Sequence, residues 1–242
     1  MRYIKVFEEH SDYEDFVSGG TMDLPNVSHC IVENEVHYNP YIPPLKVVAT
    51  FNMENSSWMG IVGMISQGED DAEVYTNSFS EIEVDGVAVS ISDLIAHDGM
   101  VQATAGNHTV TYTLNGSEIG YRSFYANCGG LVSINIPDGV TSIGERSFAI
   151  CPLSSITIPN SVTNIDDEAF YEATSLRSVV INATTPPSIG EGVFTYWYVD
   201  EITYEEEYRP LDVTIYVPSG SVNAYKTAPG WSDYASKIQA IP

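Results

Sequence analysis

The sequence predicts a mainly β chain: a small β-sandwich fused to a short β-solenoid that ends in a C-terminal cap. Two observations carry this. A six-residue Ile…Phe pattern returns at nearly constant spacing through the second half, and short alternating strands with turn signals fill the stretch before it. A third observation narrows the function. Nine Lys+Arg stand against 33 Asp+Glu, a formal net charge of −24, while 43% of the 242 residues are apolar. That apolar fraction supports a packed core. The charge repels phosphate backbones and anionic lipid, which makes nucleic acid and membrane surfaces poor candidate partners.

The repeat reads Ile119-Gly120-Tyr121-Arg122-Ser123-Phe124, Ile143-Gly144-Glu145-Arg146-Ser147-Phe148, Ile165-Asp166-Asp167-Glu168-Ala169-Phe170 and Ile189-Gly190-Glu191-Gly192-Val193-Phe194. The phenylalanines are 24, 22 and 24 residues apart. A leucine and a β-branched alternation follow the first three: Leu131 with Ile134 and Ile136, Leu153 with Ile156 and Ile158, Leu176 with Val179 and Ile181. Pro137 and Pro159 end the first two strands, and Ile215-Tyr216-Val217-Pro218 repeats the ending. No single unit can bury its Ile/Phe/Leu set, so the units must stack as parallel rungs around one interior. A short helical turn after each Ile-Gly is expected to aim the phenylalanine inward.

The pattern Ile-Gly-x-x-Ser-Phe-x-x-Cys-x-Leu-x-Ser-Ile-x-Ile-Pro-x-x-Val resembles the BspA-type (Treponema-type) leucine-rich repeat. So does the closing run from Ile215 through Ser219-Gly220-Ser221 and Ala224-Tyr225-Lys226 to Trp231, which is similar to that family's cap. The resemblance spans roughly 117–242. It departs in having few repeats, a long insertion before the last rung, and Asn182 where the other strands end in proline, with Pro186-Pro187 further on. The resemblance implies a leucine-rich-repeat coil with a surface or adhesion role in bacteria or their phages, and no catalytic residues. Cys128 and Cys151 fall at nearly equivalent repeat positions. Rungs about 4.8 Å apart allow a bridge, and two buried thiols are the plainer reading.

Ahead of the repeats, 45–116 reads as the small all-β sandwich. Strands are expected at 45–53, 58–65, 74–84, 87–91, 100–104 and 109–114, with Val84-Asp85-Gly86-Val87 as a two-residue hairpin. Tyr112 and Leu114 match the alternation of Ile134 and Ile136. Strand 109–114 is therefore expected to act as a rung before the first, paired with the strand at 133–137. Residues 1–44 form a separate N-terminal piece, with a strand at 3–7, a hairpin around Glu33-Asn34, and a stiff linker at Pro40, Pro43 and Pro44. Attachment to a larger assembly is one reading of this piece; simple packing on the next domain is the other.

Chemistry finds little footing. Glu201 and Glu205-Glu206-Glu207 are carboxylates of the kind a glycosidase pairs, but a run of acids reads first as a solvated face. Asp70-Asp71 lacks the ligand spacing of a calcium loop, His10, His29, His37, His97 and His108 are scattered, and no Gly-x-Ser-x-Gly elbow occurs. The chain is read as no enzyme, with no cofactor and no metal.

Binding residues are easier to nominate. Ser133, Ser155 and Ser178, then Asn135, Thr157 and Val180, form outward columns on the rungs, either a recognition ledge or a plain exposed face. From Phe to the first strand residue takes 10, 8 and 9 residues in three units and 21 in the last. That excess, the insertion at 195–210, carries Tyr196, Trp197, Tyr198, Tyr204 and Tyr208 among acids. Aromatics with polar neighbours make interface hot spots and sugar platforms; they would equally cap the open end of the coil. The expectation is a non-catalytic extracellular recognition or attachment protein, on a phage virion or a bacterial surface, that binds a protein or glycan on a cell surface. A purely structural spacer subunit is the rival. The first ten residues hold no leader-like apolar run, which tilts the expectation toward the virion.

Overall fold

The structure is a computed structural model that describes residues 3–7, 27–32, 35–38, 44–62, 76, 78–126, 130–200 and 206–242. The chain divides into two compact units, Met1–Pro44 and Leu45–Pro242. In the first, β1 (Tyr3–Phe7), β2 (Val27–Val32) and β3 (Glu35–Tyr38) form a three-stranded sheet in that order. β1 runs parallel to β2, and β2 antiparallel to β3 with Val32 opposite Glu35. This is the strand and the hairpin that the sequence predicts there.

The second unit opens with β4 (Lys46–Met53), β5 (Ser57–Gly60), β6 (Phe79–Val84), β7 (Val87–Val89), helix α1 (Ile91–Ala96), β8 (Met100–Ala103) and β9 (Gly106–Leu114). Strand alternation sorts β4: Val47, Ala49 and Phe51 are fully buried, with their neighbours outward. β6 and β7 are joined by Asp85-Gly86, both at positive φ (52° and 79°), the geometry a two-residue hairpin demands. The strand expected to end at Ile91 stops at Val89 instead. Ser90 caps α1, its hydroxyl accepting from the amide of Asp93, an N-cap signal that the strand reading passed over. The two layers of the expected sandwich are unequal. The front sheet, which contains β4, β6, β7 and β9, packs with the β5–β8 ribbon and α1 through Met59, Ile61 and Leu94 in the common core and through the Tyr112 hydroxyl, which donates to the Ile61 carbonyl at 2.6 Å. Its Phe79 and Tyr112 rings meet Phe124 of the coil.

The coil follows with β10 (Glu118–Ile119), β11 (Leu131–Asn135), β12 (Ser142–Ile143), β13 (Ser155–Ile158), β14 (Asn164–Ile165), β15 (Ser178–Ile181), β16 (Ser188–Ile189), a hairpin of β17 (Thr195–Val199) and β18 (Glu206–Pro210), and β19 (Thr214–Val217). The cap is a 3-10 turn at Ser219–Ser221, helix α2 (Val222–Thr227), a 3-10 turn at Trp231–Lys237 and β20 (Ile238–Ala240). Two parallel sheets line the coil, β10-β12-β14-β16 and β13-β15-β19-β20.

The rung expected before the first is not there. β9 does not pair with β11; β4 lies between them, in the sheet order β11-β4-β9-β6-β7. β4 is long enough to pair with β9 from Lys46 to Met53 and still give its other edge to β11, Leu131 facing Phe51 and Asn135 facing Val48. An antiparallel partner thus closes the open edge of the first rung. The alternation in 109–114 was real, but alternation fixes a face and not a neighbour.

Inside the coil the phenylalanines stand in one file. Ring centroids of Phe124, Phe148, Phe170 and Phe194 are 5.1, 5.3 and 5.3 Å apart, with interplanar angles of 8°, 6° and 13°. The short helical turns expected before them are hydrogen-bonded turns held by left-handed residues: Arg122, Arg146, Glu168 and Gly192 in one column, Ala126, Ile150 and Glu172 in another. This backbone turns amides along the coil axis, so Phe124, Phe148 and Phe170 donate to the carbonyls of Ser147, Ala169 and Val193 in the next turn. At Gly144 the glycine after isoleucine is a packing need, whereas the next turn carries Asp166 at this place. A Cβ on Gly144 would lie 2.9 Å from the Gly120 carbonyl carbon. Outside the small sheet, Ser188 donates to the Asn164 side-chain oxygen at 2.6 Å and Asn164 to the Ser142 hydroxyl at 3.2 Å, a polar ladder that satisfies each rung from its neighbour. Cys151 is buried and free; Cys128 lies outside the described residues.

Candidate functional site

The insertion folds as an antiparallel hairpin, with Tyr196 opposite Arg209, Trp197 opposite Tyr208 and Tyr198 opposite Glu207. Alternation therefore splits its aromatics between two faces. On one, Trp197 and Tyr208 meet edge to face, centroids 4.8 Å apart at 74°, and Tyr208 approaches Tyr171 at 6.1 Å. Both stay open to solvent, Trp197 at 39% and Tyr208 at 56%. On the other, Arg209 lies over the Tyr198 ring, 3.3 Å from its centroid, and bonds Glu207 at 2.6 Å. Tyr196 is half-buried against the core. Tyr204, Glu201 and Glu205 lie outside the described residues, as do Asp70 and Asp71.

The first face borders a recess of about 420 Å³. Thr195, Tyr208 and Pro210 come from the hairpin, Asp167, Glu168, Glu191 and Gly192 from the last two turns of the coil, Asp233 and Tyr234 from the cap. Asp167 and Glu191 follow each other at one repeat position, as Glu145 does in the turn before, so this acidic column is written in the sequence. Sequence reasoning looked for binding on the rung strands and in the insertion, where it named Tyr208, and passed over the turns. The column is ordered: the Asp167 carboxylate accepts from the Glu191 amide at 2.8 Å, and Glu168 pairs with Arg146. Burial first, then the Glu172 carboxylate, push the Tyr171 phenol well above its ordinary value, and burial raises that of Tyr234 against the hydrogen bond from the Phe194 amide.

The expected ledge is divided. Ser133 and Asn135 sit on β11, opposite Thr50 and Val48 of β4, and so belong to the antiparallel sheet. Ser155 and Thr157 continue to Ser178 and Val180 and then to Thr214 and Tyr216 on the parallel sheet, the last joined to Gln239. Sequence reasoning missed Tyr216 because its column was read only as far as the third unit. Among the described residues no group of three His, Cys, Asp or Glu is placed to hold a metal ion, and no helix is long and apolar enough to cross a membrane.

Residues 107–219 match the BspA type leucine rich repeat region, in 6 copies. No curated protein matches the chain. Proteins with repeats of this type are generally surface-binding proteins, typically non-catalytic. The stacked turns, the inward phenylalanine file and this match agree: over 107–219 the chain is a BspA-type leucine-rich repeat region.

Proposed function

We propose that this chain is a non-catalytic recognition protein that works outside cells, as a bacterial surface adhesin or a phage appendage, and attaches to a protein or glycan on a cell surface. The observation that supports this best is the exposed Trp197–Tyr208 pair beside an open recess on a coil whose interior is otherwise closed. Large rings left in water at a rigid hairpin offer contact area at little conformational cost. Tyr196, Tyr198 and Tyr204 of the same insertion are proposed as further contact residues. Ser155, Thr157 and Ser178, with Ser133 and Asn135 on the neighbouring sheet, supply a second, hydroxyl-bearing surface.

Trp197→Ala and Tyr208→Ala test the reading. Each should reduce adherence of the purified chain to bacterial or host cells at least tenfold while circular dichroism stays unchanged. Undiminished adherence would favour the spacer alternative, which draws on the separate compactness of residues 1–44 as a docking piece. Under that alternative, deleting 1–44 abolishes incorporation into the parent assembly and the hairpin variants do nothing.

A further inference from the structure

The recess beside the hairpin has a composition that selects its occupant. Its lining includes the exposed ring of Tyr208 and Pro210, with the buried Tyr234 beside them. Its volume, about 420 Å³, is in the range of pockets that take a small ligand or one long side chain. Four carboxylates stand around it, Asp167, Glu168, Glu191 and Asp233. They do not converge: among the described residues no three acidic or metal-binding side chains could hold one ion. Spread carboxylates beside an exposed aromatic ring suit a broad, delocalised cation rather than a metal.

Two of the carboxylates already have work. Asp167 holds the Glu191 amide, and Glu168 holds Arg146. Glu191 and Asp233 form no ion pair with a basic group among the described residues. The molecule also shows which cation its tyrosines and acids receive. Arg209 stacks on Tyr198 and bonds Glu207. Arg122 lies 5.0 and 4.7 Å from the ring centres of Tyr121 and Tyr125. A guanidinium is planar, stacks on aromatic faces and forks onto carboxylates, where an ammonium is a compact, strongly hydrated point. The net charge of −24 adds a field that draws basic surfaces and repels acidic ones.

We infer that this recess receives an arginine side chain presented by a partner protein, stacked against Tyr208 and paired with Glu191 and Asp233. The inference rests on the recognition reading above and gives its partner a chemistry: a basic protein surface.

The test is an NMR titration of the full chain with three blocked tripeptides, Gly-Arg-Gly, Gly-Lys-Gly and Gly-citrulline-Gly, citrulline being the neutral isostere of arginine. The arginine peptide should shift the amides of Glu191, Thr195, Tyr208 and Tyr234 in a saturable way, with the lysine peptide at least threefold weaker and the citrulline peptide silent. Glu191→Gln with Asp233→Asn should weaken the arginine peptide at least fivefold, and Glu83→Gln, an acid on the front sheet, should not. Equal response to citrulline or lysine, an equal effect of Glu83→Gln, or no saturable shift at these amides overturns the inference. The two readings fail separately. A chain that adheres through Trp197 but ignores the arginine peptide keeps its recognition role and loses this site. One that binds the peptide yet adheres undiminished after Trp197→Ala keeps the site and loses the hairpin reading.

Discussion

Tyr234 stands edge-on to Phe194, ring centroids 5.5 Å apart at 87°. At the other end of the phenylalanine file, Tyr112 meets Phe124 in the same way, 5.1 Å apart at 88°. One tyrosine belongs to the cap and the other to β9 of the front sheet, so a ring stands perpendicular to the terminal phenylalanine at each end of the stack, a favourable aromatic geometry. Each hydroxyl then anchors its closure to backbone: Tyr112 donates to the Ile61 carbonyl, and Tyr234 accepts from the Phe194 amide at 3.3 Å.

Removing the Tyr112 hydroxyl should therefore cost more than its size suggests. Tyr112→Phe keeps the edge-on ring but deprives the Ile61 carbonyl of this donor, and urea unfolding should show a loss of about 1–2 kcal/mol.

The middle of the file is the least forgiving place in the molecule. Phe148 is fully buried between two parallel rings, and the turns above and below are fixed by backbone bonds, so the gap left by Phe148→Ala cannot collapse. A loss of about 3–5 kcal/mol is expected in the same measurement.

Ile150 is a β-branched residue held at φ 58°, on a surface-facing turn where it stays 40% exposed. The left-handed region costs such a residue roughly 1–2 kcal/mol. Its amide donates to the Tyr171 carbonyl, a bond glycine would keep. Ile150→Gly should raise the melting temperature, with a gain of about 1 kcal/mol once the greater freedom of glycine in the unfolded chain is subtracted.

His108 and Asp85 give the front sheet a pH window. The imidazole Nδ1 faces the Asp85 carboxylate at 2.7 Å and Nε2 faces the Thr104 carbonyl at 2.9 Å. Both partners only accept, so both nitrogens must donate and the ring is held as imidazolium. The Asp85 hydrogen bond, then the Thr104 carbonyl, raise the His108 pKa against its burial; the His108 hydrogen bond, then the Thr109 amide, lower that of Asp85. The histidine contribution is complete below its unfolded value of about 6.5 and is lost as pH rises through the raised folded value. The aspartate contribution is complete above about 3.9 and is lost as pH falls through the lowered one. Thermal melts of wild type against His108→Gln should differ most between about pH 4 and 6.5 and converge on either side.

Much of this is legible in the sequence. The recurring Phe124, Phe148, Phe170 and Phe194 state a file because apolar identity at a fixed spacing has no other use on a stacked coil. Asp85-Gly86 states its hairpin because few pairs accept two positive φ values. What escaped the sequence was partnership. Nothing in Leu131–Asn135 says that β4, some eighty residues earlier, is its neighbour, since antiparallel and parallel edges ask for the same alternation. The recess escaped for a related reason. Glu191, Asp233 and Tyr208 come from a turn, the cap and the hairpin, and only the closed end of the coil brings them together.

Native-state hydrogen exchange addresses the central structural claim, that front sheet and repeat coil share one interior and unfold as one body. The amides of Val110 and Tyr112 in β9 and of Phe124, Phe148 and Phe170 in the coil should exchange with a single free energy, equal to that of global unfolding, and Phe148→Ala should lower all five together. Two separate free energies, with the β9 amides indifferent to Phe148→Ala, would contradict it.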